Sequence, residues 1–466
     1  MRRTTLVRTA VATSSLALLA TLAPTAVAEP AGVEATAKTS ATSGRSAAVA
    51  STHDDGDDDD RRSYKRIGYF TQWGIYGRDF QVKDLDTNGQ AAKLTHINYA
   101  FGNVSADGRC FIDGGPPGES DSWADYKRPV PAADSVDGVG DNDTQRLAGS
   151  FNELRELKAK HPGLKVMISL GGWSWSTHFS DAVLTAEKRK KLVSSCVDLY
   201  IKGNLPADGA RGGQGSAAGL FDGIDVDWEW PGSSGDDDTV FRPEDKQNFT
   251  ALIREFRVQL DAYAKTQGKR KHYDLSAYVP TAPAKIDAGF EVRKLMKDFD
   301  FVNLQGYDFH VSGEKTTAQQ SALYARGDFS VHQTVTDWLK RGAPAHKLVM
   351  GIPMYGQGWT GVTGGGDGMG QPAARPAPAT YSPGYEDYKA LKKLVASGTY
   401  KVHRKHGQAW IFDGTTLWTY DDPKVLRAKT EYIRENGLGG AMFWSLDGDT
   451  ADGELMRTVD RGLGRR

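Results

Sequence analysis

This chain has few cysteines and almost no net charge. It contains two cysteines, Cys110 and Cys196, in 466 residues. In an exported chain they can form one disulfide or remain two isolated buried thiols, and both alternatives are open at this stage. The formal net charge is −1 at pH 7, so the excess of Lys and Arg that nucleic acids and anionic membranes attract is missing. We therefore expect a neutral partner, and neither nucleic acid nor membrane.

Motifs for metals and nucleotides are also missing. No two histidines have the His-x-x-x-His spacing of a zinc enzyme, and the glycine-rich segment 364–370 lacks the Lys and Ser or Thr of a phosphate-binding loop. The acidic run 57–60 lacks the spaced ligands and the final Glu of a calcium loop. The chain is therefore expected to use no metal and no other cofactor.

Long apolar segments are absent as well. The apolar run 10–22 is too short to span a membrane. Basic residues precede it and Ala26-Val27-Ala28 follow it, a pattern typical of a secretory signal peptide over residues 1–28. The alternative is a membrane anchor. The favoured interpretation predicts a mature protein that begins at Glu29 and is secreted to the extracellular space.

The remaining chain divides by composition. Residues 29–63 are rich in Ala, Ser, Thr and Asp and contain almost no large apolar side chain, which predicts a disordered linker. From residue 64 to 466, short apolar runs alternate with amphipathic segments, the pattern of repeated βα units. Strands are predicted at 66–71, 94–101, 164–170, 220–227, 273–279, 301–305, 347–352 and 439–445. The clearest helices are predicted at 145–160, 187–201, 244–265, 331–341 and 423–435.

Eight such units predict an α/β fold, a TIM (β/α)8 barrel whose catalytic groups lie at the C-terminal strand ends. The interval 360–422 interrupts the rhythm, because it is first rich in Gly and Pro and then shows one helical and one strand pattern. We interpret it as a small inserted α+β subdomain beside the barrel mouth. The alternative is a long surface excursion.

The segment from Phe221 to Pro231 contains three carboxylates at alternate positions. Asp225, Asp227 and Glu229 alternate with apolar residues in a strand-like pattern, so they share one face at a spacing of roughly 6.6 Å. Acidic side chains are seldom buried unless paired, and like charges this close cannot all ionise freely. The pattern favours a general acid that keeps its proton near neutral pH. The alternative is an edge strand with a solvated acidic face.

These residues carry a resemblance to a known family. The segment 222–229 resembles the DxxDxDxE signature of family-18 glycoside hydrolases, the chitinases. Ser169-Leu170-Gly171-Gly172 resembles the SxGG element of that family, and Gln305-Gly306-Tyr307-Asp308 is similar to its Met-x-Tyr-Asp element, with Gln in the Met position. The similarity is greatest to secreted bacterial chitinases with an insertion between strands seven and eight.

The resemblance implies that the protein hydrolyses β-1,4 bonds between the N-acetylglucosamine units of chitin. It implies a retaining, substrate-assisted mechanism in which the sugar's acetamido oxygen is the nucleophile. Glu229 would act as acid and then base, Asp227 would orient the acetamido group, Asp225 would share a proton with Asp227, and Tyr307 would donate to the acetamido oxygen. The implied substrate-binding residues are Tyr69, Trp73, Trp173, Gln305, Asp308, Tyr355, Gln357, Trp359 and Trp444.

Two departures from the family pattern concern residues expected to bind the substrate. Val311-Ser312-Gly313 stands where an aromatic residue is usual, and Gln357 stands where Arg is common. We expect weaker binding of long acceptors, and stronger binding of chito-oligosaccharides if Arg is restored at position 357. Other functions with the same motifs are an endo-β-N-acetylglucosaminidase acting on glycoprotein glycans and a chitin-binding lectin without activity. A monomer is expected.

Overall fold

Eight parallel strands form a closed barrel in the computed structural model, which describes residues 64–115, 118–268 and 270–464. Each strand pairs with its neighbours along the chain, and β1 pairs with both β2 and β8. This closure confirms the predicted (β/α)8 class. In chain order the strands are β1 (Lys65–Thr71), β2 (His96–Val104), β3 (Lys165–Gly171), β4 (Gly223–Asp227), β5 (Asp274–Val279), β6 (Val302–Leu304), β7 (Leu348–Pro353) and β8 (Gly440–Trp444). The predicted signal peptide (1–28) and linker (29–63) lie outside the described residues.

Helices follow most of the strands. Their apolar faces pack against the outer face of the barrel in one large core, while a second cluster fills the barrel interior. The α-helices are Val82–Thr87, Gly149–Lys160, Phe179–Ala182, Ala186–Cys196, Asp245–Gln267, Pro283–Gly289, Val292–Leu295, Val331–Lys340, Tyr388–Ala396, Pro423–Glu435 and Glu454–Leu463. The helix predicted at 187–201 is α-helical only to Cys196 and continues as the wider turn Val197–Ile201.

Strand β2 extends beyond its predicted end. It continues from Phe101 to Val104 and pairs with Cys110–Phe111 in an antiparallel hairpin. Cys110 in this hairpin forms a disulfide with Cys196, across 86 residues of sequence. The disulfide connects the hairpin to the end of helix Ala186–Cys196, so the tertiary structure decides between the two alternatives that the cysteine count left open.

A second sheet lies between β7 and β8. Tyr355–Thr360 pairs with Arg375–Pro376, Tyr385–Asp387 and Thr416–Tyr420, and the sheet continues through Gln408–Phe412 to Lys401–Lys405. Helix Tyr388–Ala396 belongs to the same segment. The sheet therefore also includes residues before the predicted bounds 360–422. It has its own apolar cluster, formed by Trp359, Val362, Trp410, Phe412 and Leu417.

Within the described ranges, none of the helices combines the length and the apolar composition that a membrane span requires.

Candidate active site

Strand β4 divides its side chains between the two faces of the barrel wall. Ile224 and Val226 are fully buried in the core under the helices. Asp225 and Asp227 alternate with them, so they point into the barrel interior, and Glu229 follows just beyond the strand end. All three carboxylates thus belong to the C-terminal end of β4, where catalytic groups of this fold lie.

Asp225 is the deepest of the three carboxylates and is fully buried. Its Oδ2 accepts hydrogen bonds from Tyr69 Oη (2.7 Å) and Ser169 Oγ (2.9 Å). Its Oδ1 accepts from Ser276 Oγ (2.5 Å) and Asn303 Nδ2 (3.3 Å). Burial raises the pKa of Asp225, and the hydrogen bonds from Ser276, Tyr69 and Ser169 oppose that rise. The four donors come from β1, β3, β5 and β6 and hold this carboxyl group in one orientation.

Asp227 has the opposite environment. It is 4% exposed, and its Oδ1 has no hydrogen-bond partner within the described part of the chain. Burial, with the neighbouring charges of Glu229 and Asp225, raises the pKa of Asp227 well above its usual range. A buried carboxyl oxygen without a donor is costly unless a ligand satisfies it. Asp227 is therefore suited to accept a hydrogen bond from a bound molecule.

Glu229 is half-buried at the edge of the barrel interior. The pKa of Glu229 is raised to about 8, mainly by burial. Lys285 opposes this rise, and the charges of Asp308 and Asp236 add to it. The main-chain N–H of Glu229 donates to Ser176 Oγ at 2.8 Å, and that hydroxyl in turn donates to the carbonyl oxygens of Gly172 and Asp227. A carboxyl group protonated at neutral pH and open to a ligand is a competent general acid. Sequence reasoning missed Ser176, because a serine in a loop carries no distinctive signal.

The turn after β3 comes close to the end of β4. Gly171 has φ of +108°, and a Cβ there would lie 2.4 Å from the carbonyl oxygen of Asp227. Gly172 N–H donates to the same oxygen at 2.8 Å. Only glycine allows these two backbone segments to approach so closely. The Ser-Leu-Gly-Gly segment therefore positions the backbone that carries Asp227.

Lys285 is the cation that acts on Glu229 from the segment after β5. Its Nζ lies 5.2 Å from the centre of the Trp230 ring and donates to the carbonyl oxygen of Ser234. Its positive charge favours the ionised form of Glu229 and lowers the pKa of that group. No motif marked Lys285 in the sequence, since its role depends on a contact between the β4 and β5 loops.

Replacing Lys285 by Met tests this electrostatic contribution. The general acid is active only while protonated, so activity is lost as the pH rises through the pKa of Glu229. Without the cation that pKa rises, and the alkaline limb of kcat/KM should move to higher pH. A pH–rate profile on an aryl glycoside of N-acetylglucosamine disaccharide measures the limb, with the exposed Lys265→Met as the control. An unchanged limb, or one at lower pH, contradicts the assignment.

Tyr307 and Asp308 follow β6, two strands along the barrel from β4. Tyr307 is buried and stacks on Tyr278 with ring centres 6.0 Å apart. Burial raises the pKa of Tyr307 well above its usual range, so its hydroxyl keeps its proton and can donate to a ligand. Asp308 Oδ1 accepts from Tyr355 Oη (2.7 Å) and Gln357 Nε2 (2.9 Å), and burial raises the pKa of Asp308.

Gln305 and Gln357 have mainly structural contacts. Gln305 Oε1 accepts from the main-chain N–H of Thr281 at 3.3 Å, and Gln357 Oε1 accepts from that of Ser312 at 3.1 Å. Gln357 is 4% exposed and bonded at both ends of its amide. An arginine there has no acceptor for the Ser312 N–H, so this contact opposes the expected gain in affinity from Arg at position 357.

Three of the predicted tryptophans present accessible rings. Trp73 is 41% exposed, Trp173 is 50% exposed and Trp444 is half-buried. The Trp444 ring stacks on that of Phe101, with ring centres 5.8 Å apart. The centres of the Trp73 and Tyr69 rings lie 6.4 and 5.2 Å from that of Trp444. Such flat apolar faces suit the C–H face of a sugar ring.

The other predicted wall residues are buried. Trp359 is fully buried in the core of the inserted sheet, and its Nε1 donates to the carbonyl oxygen of Glu314. Its place on a strand between packed neighbours leaves the ring without solvent exposure, and its role as a wall residue stays a prediction. Tyr69 and Tyr355 are each 1% exposed and act here through their hydroxyls, on Asp225 and Asp308. Trp228 and Trp410 pack in cores.

A group of metal-ligand type lies at the opposite end of the barrel. His272, Asp274 and Asp300 come together where β5 begins and β6 is about to begin. Asp274 already pairs with Lys165 Nζ at 2.9 Å and His96 Nε2 at 3.1 Å, and Asp300 with His272 at 2.9 Å. These contacts form an ion-pair network remote from the three carboxylates.

Comparisons with known proteins agree with this geometry. The family model "Glycosyl hydrolases family 18" matches residues 65–449. Chitinase C of Streptomyces lividans is 38% identical over 408 residues, covering 85% of this chain and 59% of that protein. Chitinase A1 of Niallia circulans is 34% identical over 422 residues, covering 83% of this chain and 57% of that protein. The chain thus spans about six-tenths of the length of these curated relatives.

A solved structure is similar over nearly its whole length. The catalytic domain of psychrophilic chitinase B from Arthrobacter TAD20 superimposes with a TM-score of 0.81 and 46% identity, covering 86% of this chain and 96% of that chain. The region that the family model matches, residues 65–449, contains the whole barrel and the inserted sheet. The chain therefore belongs to family 18 of the glycosyl hydrolases.

Proposed function

We propose that this protein is a chitinase that hydrolyses the β-1,4 bonds between N-acetylglucosamine units of chitin and chito-oligosaccharides. The observation that carries the proposal is the pair formed by Asp227, whose buried Oδ1 has no donor among the described residues, and Glu229, whose pKa burial raises to about 8. An acceptor beside a protonated acid fits a substrate whose own amide takes part in the reaction. The chitinases among its relatives support the choice of polymer.

The proposed mechanism is retaining and substrate-assisted. Glu229 gives its proton to the glycosidic oxygen as the bond to the anomeric carbon breaks. The acetamido carbonyl oxygen of the same sugar attacks that carbon and closes an oxazolinium ring. Water then opens the ring at the anomeric carbon and returns a proton to Glu229, which completes the cycle.

Other residues would orient the acetamido group. Asp227 accepts a hydrogen bond from its N–H, Tyr307 donates to its oxygen, and Asp225 shares a proton with Asp227 while the site is free. The accessible rings of Trp73, Trp173 and Trp444 bind sugar rings along the cleft. Gln305 and Asp308 contact the same substrate, and Tyr355 and Gln357 act on it by holding Asp308 in place. We further propose that the protein is exported to the extracellular space by residues 1–28 and acts as a monomer.

Mass spectrometry of the soluble products from colloidal chitin tests the function. The wild-type protein should release N-acetylglucosamine oligomers, with a dominant disaccharide for end-directed cutting and a spread of longer oligomers for random attack. The Glu229→Gln variant is the control for contaminating activity. Protein that stays bound to chitin without releasing product is a lectin, and release from glycoprotein glycans alone identifies an endo-β-N-acetylglucosaminidase. Both results contradict the proposal.

A further inference from the structure

Three segments around the barrel mouth meet at one arginine. Arg78 lies in the loop after β1, and its Nη1 donates to both carboxylate oxygens of Asp387, at 2.7 and 2.6 Å. The same nitrogen lies 3.1 Å from Asp447 Oδ2. Asp387 ends a strand of the inserted sheet, and Asp447 follows β8. One guanidinium group thus links the β1 loop, the inserted sheet and the β8 loop.

This contact is shielded from solvent. The side chains of Asp387 and Asp447 are 2% and 3% exposed, and that of Arg78 is 14% exposed. Lys389 is a further cation at the site, 3.4 Å from Asp387, and it donates to the main-chain oxygen of Asp447 at 2.6 Å. Removal of one partner from a buried ionic group leaves an uncompensated charge, which strongly destabilises the arrangement. Without Arg78, Lys389 is left to compensate the charges of two buried carboxylates.

The linked segments carry the aromatic surfaces of the cleft. Trp73 lies five residues before Arg78, and Trp444 lies three residues before Asp447. The Arg78 guanidinium stacks over the ring of Tyr381, which is 44% exposed and belongs to the segment between β7 and β8. Beside Asp387, Tyr385 stacks on Tyr355 with ring centres 4.2 Å apart, and Tyr355 donates to Asp308.

We propose that Arg78 is a positioning residue that sets the distance between the Trp73 and Trp444 surface and the Tyr381 side of the inserted sheet. This determines how tightly a long N-acetylglucosamine chain is held beyond the carboxylates, and thus the preference for long over short substrates. The inference rests on the proposed function. Arg78 acts through the segments that it joins and has no role in the bond-breaking step, because it has no contact with Asp225, Asp227 or Glu229.

Two substrates of different length separate this role from a general loss of structure. Arg78→Ala should raise KM for the chitin hexasaccharide about tenfold, equivalent to about 1.4 kcal/mol. Its kcat/KM for an aryl glycoside of the disaccharide should stay within about twofold, since that substrate offers fewer sugar rings to the surfaces that Arg78 positions. Arg78→Lys keeps the charge but loses the planar fork, and should give an intermediate KM. Arg109→Ala removes an exposed Arg–Asp pair as the matched control.

Each other outcome has a definite meaning. If both variants keep the wild-type KM for the hexasaccharide, or lose activity equally on both substrates, the inference is overturned. If thermal unfolding shows that Arg78→Ala does not fold, the Arg78→Lys variant takes its place. An unchanged KM for the hexasaccharide, or an equal loss of activity on both substrates, then overturns the inference. A wild-type protein that cleaves neither substrate contradicts the proposed function instead.

Discussion

Glu229→Gln should lower kcat on chito-oligosaccharides by about 10³-fold, the scale of a lost general acid. The amide keeps the size of the side chain but has no proton of suitable pKa to give to the leaving oxygen. Binding should persist, because the aromatic surfaces and Asp227 are unchanged. Initial rates on the hexasaccharide and calorimetric titration with the same sugar measure the two effects separately.

Glu244→Gln is the matched control for this prediction. Glu244 is an exposed glutamate just before helix Asp245–Gln267, and it should keep wild-type rates when changed to Gln. An active Glu229→Gln variant refutes the assignment of the acid. A variant that neither cleaves nor binds contradicts the expectation that this side chain acts on the proton alone.

Asp227→Asn should lower kcat by about 10²-fold or more on substrates with an acetamido group. The uncharged amide no longer stabilises the positive charge that develops on the oxazolinium ring. Burial and the charges of Glu229 and Asp225 raise the pKa of Asp227, so the substitution also removes one of the interacting titratable groups from the site.

A substrate without the acetamido group distinguishes the mechanisms. The wild-type protein should not cleave the aryl disaccharide that carries a 2-hydroxyl in place of the 2-acetamido group. Exposed Asp143→Asn serves as the matched control. If Asp227→Asn cleaves the acetamido substrate as fast as the wild type, or if the 2-hydroxyl substrate is cleaved equally well, the substrate-assisted mechanism is wrong.

Local patterns were sufficient for the architecture. All eight barrel strands lie within or near their predicted segments, since a parallel strand buried on both faces is a short apolar run and needs no distant partner to be recognised. The alternation of Asp225 and Asp227 with Ile224 and Val226 likewise follows from the period of a strand. The ends of the strands were predicted less accurately. Strand β2, for example, extends further than predicted because it pairs with Cys110–Phe111, and that pairing depends on a contact between two segments.

Exposure of single aromatic rings was not predictable in the same way. Trp359 has the sequence neighbours of a cleft residue, yet the sheet that forms around it buries it completely. Phe101 was not predicted as part of the site, although it stacks on Trp444. Whether a ring faces solvent depends on which remote segment packs over it, and a one-dimensional pattern does not contain that contact.

By itself, the sequence determined the barrel, the row of carboxylates on β4 and the aromatic residues at several strand ends, because each depends on spacing along a single segment. The tertiary structure alone decided the disulfide between Cys110 and Cys196, the action of Lys285 on Glu229 and the joining of three segments by Arg78. The physical reason is that disulfide bonding, charge interaction and burial depend on distance through space. That distance is set only when segments far apart in the chain pack together.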